Sequence, residues 1–179
     1  MIRLLRNAII VMLLAGTLLR LPSCRLEESY KKFNVQSITY DINDECFDSE
    51  EYSFARIRNV VFIPEIKAVN HEEYVIYVSA YSKNGKETVQ IKNVVLKEQG
   101  SVLFSNDPGK EIEFEKNGSS VFEGHINGGT IAKNVLNTED GKKYDLVIEA
   151  AVIENGSYFL GIITFKIDVM GYKSVVWPT

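Results

Sequence analysis

Side chains suited to chemistry at a reacting centre are sparse in this chain: two histidines, two cysteines and 24 acids among 179 residues. His71 and His125 have neither a helical i, i+4 spacing nor a neighbouring cysteine. A metal site built on either would need acids delivered by the fold, and the plainer reading is a surface-loop His71 and a strand-edge His125. No Gly-x-Ser-x-Gly turn occurs, and Cys46 has no His or Arg within several residues to hold a thiolate. Nothing singles out a carboxylate pair for glycoside hydrolysis. The GHINGG stretch at 124–129 lacks the lysine of a phosphate loop. The expectation is therefore a protein that is not an enzyme, with no catalytic residues, no bound metal and no cofactor.

The densest charge is acidic, in DINDECFDSEE at 41–51. Asp41, Asn43 and Glu45 fall at the one, three and five spacing of a calcium loop, but the sixth position is Cys46 instead of Gly and the twelfth is Tyr52 instead of Glu. The run reads as a solvated loop between strands, and Asp44, Glu45, Asp48, Glu50 and Glu51 become candidate contacts for a partner. Trp177, close to the end of the chain, is a further contact candidate. Tyr74, Tyr77 and Tyr81 share one predicted strand, the last two on one face and Tyr74 on the other. Val75, Ile76 and Val78 fill both faces, so the strand is expected to be central and its tyrosines mostly core. A binding platform would need them exposed.

The first 24 residues read as an address. Arg3 and Arg6 precede twelve uncharged residues, AIIVMLLAGTLL at 8–19. As a helix these span about 18 Å against about 30 Å of hydrocarbon, which is secretory-signal length and too short for a permanent anchor. Leu21, Pro22, Ser23 and Cys24 follow, and this tetrapeptide resembles the lipobox of bacterial lipoprotein precursors. The resemblance implies a diacylglycerol thioether on Cys24, cleavage before it, and fatty acylation such as palmitate on the new amino group. It also implies attachment to the membrane through these acyl chains. Arg25 in the next position implies the outer membrane over inner-membrane retention. An ordinary cleaved signal and a retained anchor are the alternatives. A thioether on Cys24 precludes a disulfide with Cys46, which then reads as a buried small hydrophobe. Removal of residues 1–23 takes Arg3, Arg6 and Arg20 and no acid, so the formal charge moves from −4 to −7. With no Lys/Arg run, nucleic acid is not an expected partner.

The elements behind these residues are strands. A polar stretch, RLEESYKKFN at 25–34, reads as a tether, and residues 35–179 as one domain. Asn84-Gly85, Asn117-Gly118, Asp140-Gly141 and Asn155-Gly156 are hairpin-type dipeptides, and Asn127-Gly128-Gly129 is a further break. Between them, Val-, Ile-, Tyr- and Phe-rich segments predict strands at 35–42, 55–63, 74–82, 87–97, 101–105, 111–115, 121–126, 143–153 and 157–170. Residues 130–137 are open between strand and helical turn. In 87–97 the apolar phase slips from Val89 and Ile91 to Val94 and Leu96, which predicts a bulge near Lys92 and Asn93.

Gly141 and Tyr144, followed by Leu146 and Ile148, resemble the tyrosine corner and F strand of immunoglobulin-like and fibronectin type III sandwiches. The resemblance implies an all-β, immunoglobulin-like antiparallel β-sandwich after an N-terminal signal helix, with 143–153 and 157–170 as its F and G strands. The expected function is that of a membrane-anchored lipoprotein of the bacterial cell envelope, acting as a non-enzymatic protein-binding module with its protein partner in the envelope. An immunity protein against a periplasm-acting toxin is one concrete form. An envelope assembly or adhesion accessory is an alternative, as is a metal-dependent hydrolase using His71 or His125 with loop acids.

Overall fold

The computed structural model describes residues 26–36, 38, 42–70, 72–116 and 120–176, and their side chains between 32 and 171. Leu21, Pro22, Ser23 and Cys24 lie outside the described residues, as do Asp41, His71, Asn117, Gly118 and Trp177. The chain divides into a compact unit of residues 31–171 and a smaller one that includes 26–30 and 172–176. The account below concerns the larger.

Two sheets pack face to face. The first runs in the order β1 (Leu26–Val35), β11 (Ser157–Val176), β10 (Lys143–Glu154), β5 (Thr88–Glu98) and β6 (Ser101–Asn106), with β7 (Glu111–Ile112) also on β5. The second runs β2 (Arg56–Ile57), β3 (Val60–Ala68), β4 (Glu73–Ser82), β9 (Phe122–Ala132) and β8 (Glu115–Lys116). Neighbours are antiparallel throughout the second sheet and along β11, β10, β5 and β6 in the first. The orders β3-β4-β9-β8 and β11-β10-β5-β6 reproduce the ABED and GFC-type sheets of an immunoglobulin-like sandwich, with β10 and β11 as F and G. Period-two alternation drives this packing. Tyr144, Leu146, Ile148, Ala150 and Val152 point inward from β10, opposite Phe62, Ile76 and Val78 of the other sheet, and all are buried in one cluster. Fully burying side chains of this size contributes about 1.5–3 kcal/mol each before the entropy of ordering is subtracted.

Several turns follow the dipeptides that encode them. Asn155 and Gly156 take positive φ of 50° and 78° and join Glu154 to Ser157 in a two-residue hairpin. At Asn84-Gly85 the turn is held by Ser82 Oγ, which accepts the Gly85 N–H at 2.8 Å and donates to the buried Glu87 carboxylate. Tyr144 donates its hydroxyl to the Asn137 carbonyl at 2.6 Å, the upstream backbone contact that a tyrosine corner makes. The expected bulge in β5 is present: Asn93 faces Glu149 and Ile91 faces Ala150, so Lys92 is the residue without an opposite number.

Several boundaries differ from the sequence reading, and residues 36, 38 and 42 of the expected strand at 35–42 lie in no strand. Residues 26–35 form strand β1 instead of a tether, because Phe33 and Val35 bury themselves in the main core and Phe33 meets the Tyr74 ring edge-on at 5.0 Å. Residues 55–63 are two strands, turned at Arg58 with φ +55° and without any glycine. Pro64, which ends a strand by the usual rule, lies inside β3; β2 pairs only with Val60 and Val61, so β3 is an edge beyond them, where a missing N–H breaks no ladder. Residues 111–116 change sheets between β7 and β8, while β9 continues through Gly128-Gly129 to Ala132 and a 3-10 turn at Lys133–Val135.

A second, smaller core lies on the outward face of the second sheet. Residues 42–55 form two short 3-10 helices, Asp44–Phe47 and Glu50–Ala55, capped by Asn43 and Ser49. Their apolar residues Ile42, Cys46, Phe47 and Tyr52 bury against Val61, Ile63 and Val121. The acidic run is thus a docked loop with an apolar underside.

The candidate site, an acidic groove on the second sheet

Beyond the docked loop, the outward face of the second sheet stays open, and strand register decides what it displays. Successive outward positions are Ile63, Glu65 and Lys67 on β3, Tyr77, Ser79 and Tyr81 on β4, and Glu123 and His125 on β9. Glu65 lies opposite Tyr77, Ile63 and His125 flank Ser79 from either side, and Tyr81 lies opposite Glu123. These eight residues line a hollow of about 380 Å³. A second hollow of about 440 Å³ shares Glu123 and His125 and continues to Glu111, Glu113 and Glu115.

Gly124 makes that continuation fit. A Cβ at this position would meet the Glu113 carbonyl oxygen and Ile112 Cγ2 at 2.3 Å each, so only a glycine lets the 111–116 crossing lie this close on β9. The crossing sets Glu115 directly opposite Glu123. Like charges in a cross-strand pair are unfavourable.

Polar contacts organise the floor. Tyr81 donates to Glu123 Oε1 at 2.9 Å, and burial, with this hydrogen bond second, pushes its phenol up to about 12. Lys67 Nζ lies 2.7 Å from Glu65 Oε2 and 6.0 Å from the centre of the Tyr77 ring, so the chain's own ammonium occupies one end of the groove. Glu111, Glu113 and Glu115 have no cationic partner among the described residues.

The residues singled out in the sequence divide as follows. Asp44, Glu45, Asp48, Glu50 and Glu51 are exposed on the docked loop, on the same side of the sandwich as the groove. Asp48 pairs with Lys83 at 2.7 Å, and that hydrogen bond, then its charge, holds the Asp48 carboxyl below its usual range. Cys46 is a buried thiol within the small core, bonded to Asn43. Gly141 and Tyr144 belong to the scaffold at the other sheet. The strand carrying Tyr74, Tyr77 and Tyr81 is central, and Tyr74 is core, but Tyr77 and Tyr81 are half-buried and line the groove; the outward face of β4 is only partly covered by the loop. His125 is on β9 opposite Ser79 of β4, and because β8 pairs only with Phe122 and Glu123 it lies on an edge of the sheet, as expected. Glu65, Lys67, Glu113, Glu115 and Glu123 were not singled out, because single acids on alternating strands carry no local pattern; their convergence is a property of register.

Among the described residues no three His, Cys, Asp or Glu side chains are grouped so as to hold a metal ion, and no helix is long and apolar enough to cross a membrane. No family model, curated protein or solved structure matches this chain.

Proposed function

We propose that the chain is a membrane-anchored lipoprotein of a bacterial cell envelope, attached through acyl chains on Cys24 and acting without catalysis by binding a basic protein partner. The single observation that carries this reading is the convergence of acids on one side of the sandwich. Asp44, Glu45, Glu50 and Glu51 of the docked loop and Glu111, Glu113, Glu115 and Glu123 around the groove share that side, with Tyr77 and Tyr81 supplying apolar contact. Acidic complementarity of this kind raises the rate of encounter with a cationic partner and rejects anionic ones. An immunity protein that occludes a basic toxin acting in the periplasm is the concrete form we favour, with the outer membrane as the preferred site of attachment.

The test is recovery of a partner. A C-terminally tagged full-length chain, purified in detergent from its own envelope, should retain a basic protein in stoichiometric amount, released by raised salt as screening shortens the reach of the charges. Reversing the charge of Glu45 and Glu50 together should reduce the yield. Recovery of a tightly held metal or small molecule with no macromolecule would overturn the reading.

A further inference from the structure

We propose that the first half of β11, Ser157–Phe165, is a docking edge for the same half-strand of a second copy of this chain, so that two copies share one continuous antiparallel sheet. This stands apart from the reading of a basic partner. The segment reads SYFLGIITF, nine residues without a charge in an acidic chain. Of the eight large apolar side chains exposed among the described residues, three are consecutive outward positions here: Tyr158, Leu160 and Ile162, 55%, 56% and 69% exposed. Apolar exposure is therefore concentrated on one stripe, which marks an interaction surface more than scattered single residues do.

Strand register shows that the backbone beneath the stripe is open as well. Glu154 and Ser157 close a two-residue hairpin and form its hydrogen-bonded pair, so odd-numbered residues of β11 turn N–H and C=O toward β10 and even-numbered ones turn theirs away. Two sets of bonds agree. Val169 bonds to Gly141 and Lys142, which lead into β10, while Lys166 accepts from the Gln36 N–H on the opposite side. On that opposite side β1 lies along the later half of β11: residues 26–30 cluster with 172–176, and Gln36, just past the end of β1, bonds to Lys166 and Asp168. The chain then leaves this edge, as Ile38 packs against both cores and Ile42 enters the small one. Among the described residues, β10 is thus the one strand beside Ser157–Phe165. Tyr158, Leu160, Ile162 and Thr164 present their N–H and C=O groups at an edge with no charge, proline or bulge to block pairing.

The pattern of this edge selects its own occupant. An antiparallel second copy with the two-fold axis at Gly161 sets Tyr158 against Thr164 and Leu160 against Ile162, each twice. All four open residues then exchange both backbone bonds, and the two apolar stripes merge on one face of the joined sheet. No charge opposes a like charge within the paired segment. Elsewhere the formal charge of −4 holds copies apart, so the uncharged segment is where self-association is least opposed.

Tyr158→Cys with Thr164→Cys in the full-length chain, oxidised in the expressing cells before extraction, tests the register. The double variant should run as a dimer on a non-reducing gel. Wild type and either single variant should not, since positions 158 and 164 lie about 20 Å apart along one strand. Leu160→Lys with Ile162→Lys sets like charges directly opposite each other twice. It should weaken the dimer about tenfold or more, read from the concentration at which native mass measurement finds half of it dissociated. Both side chains are exposed, so an unchanged far-ultraviolet circular dichroism spectrum should show that this variant is folded. Linking by Tyr158→Cys with Ile162→Cys, but not by Tyr158→Cys with Thr164→Cys, overturns the register. A wild type that stays monomeric, or a dimer indifferent to the double charge, overturns the docking edge. A monomer that retains a different protein, lost in the same charged double variant, overturns the second copy as the occupant.

Discussion

Replacing Tyr81 with phenylalanine isolates one hydrogen bond on the groove floor, and its signature is in pH. The phenol, half-buried and bonded to Glu123 Oε1 at 2.9 Å, is pushed from 10.0 up to about 12 by burial and by that carboxylate. A folded-state pKa raised above the unfolded one contributes stability that is complete below about pH 10 and is lost as pH rises toward about 12. Two units correspond to a ceiling of about 2.7 kcal/mol, and solvent in the open groove reduces this to about 1 kcal/mol. Near neutral pH, Tyr81→Phe should be less stable than wild type by a similar amount, about 0.5–1.5 kcal/mol for one hydrogen bond. The two chains should then converge as wild type ionises. Urea unfolding at a series of alkaline pH values measures the gap, and the difference in near-ultraviolet tyrosinate absorbance between the chains reports Tyr81 alone. Tyr144, also pushed up by burial, titrates in both chains and cancels. A gap that stays constant through the alkaline range, or a difference spectrum centred near the ordinary tyrosine value, would refute the geometry of the floor.

Three further outcomes are expected. Tyr144→Phe removes the 2.6 Å bond to the Asn137 carbonyl and should lower stability by about 1 kcal/mol, read as a fall of about 2–4 °C in Tm; an unchanged Tm would remove the corner from the account of the fold. Gly124→Ala puts a methyl 2.3 Å from the Glu113 carbonyl oxygen, and should cost about 1–3 kcal/mol in chemical unfolding as the 111–116 crossing is forced off β9. Cys24→Ala should abolish incorporation of labelled fatty acid and release the protein from membranes; equal labelling of both chains would end the lipobox argument.

The sandwich was legible because its strands obey period two wherever one face meets the core. In 143–153 and 157–170 alternation, the Asn155-Gly156 turn and Tyr144 all agree, and both strands appear within a residue of the expected starts. Misreadings cluster where a rule has a positional exception. The expected strand stopped at residue 63, yet β3 runs on through Pro64 to Ala68, where it is an edge. Arg58 turns the chain at positive φ without the glycine that usually signals it. RLEESYKKFN is polar by composition, yet Phe33 near its end and Val35 just after it suffice to commit that end to the core.

The site was less legible for a related reason. A strand such as β4, with apolar residues on both faces, announces that both faces are covered, but not that one cover stops partway. Ile42, Cys46, Phe47 and Tyr52, the apolar residues in and just beyond the acidic run, were the available signal that this loop docks on a sheet. The loop shields Val61 and Ile63 and leaves Tyr77 facing the groove, so the margin of the small core is the wall of the groove. Ile63 and Tyr81 belong to both. Substitutions at these two positions must therefore change stability and binding together, whereas Glu111 and Glu115, exposed and outside the small core, should change binding with little effect on folding. That separation distinguishes a groove that receives a partner from one that is merely the unfilled margin of a core.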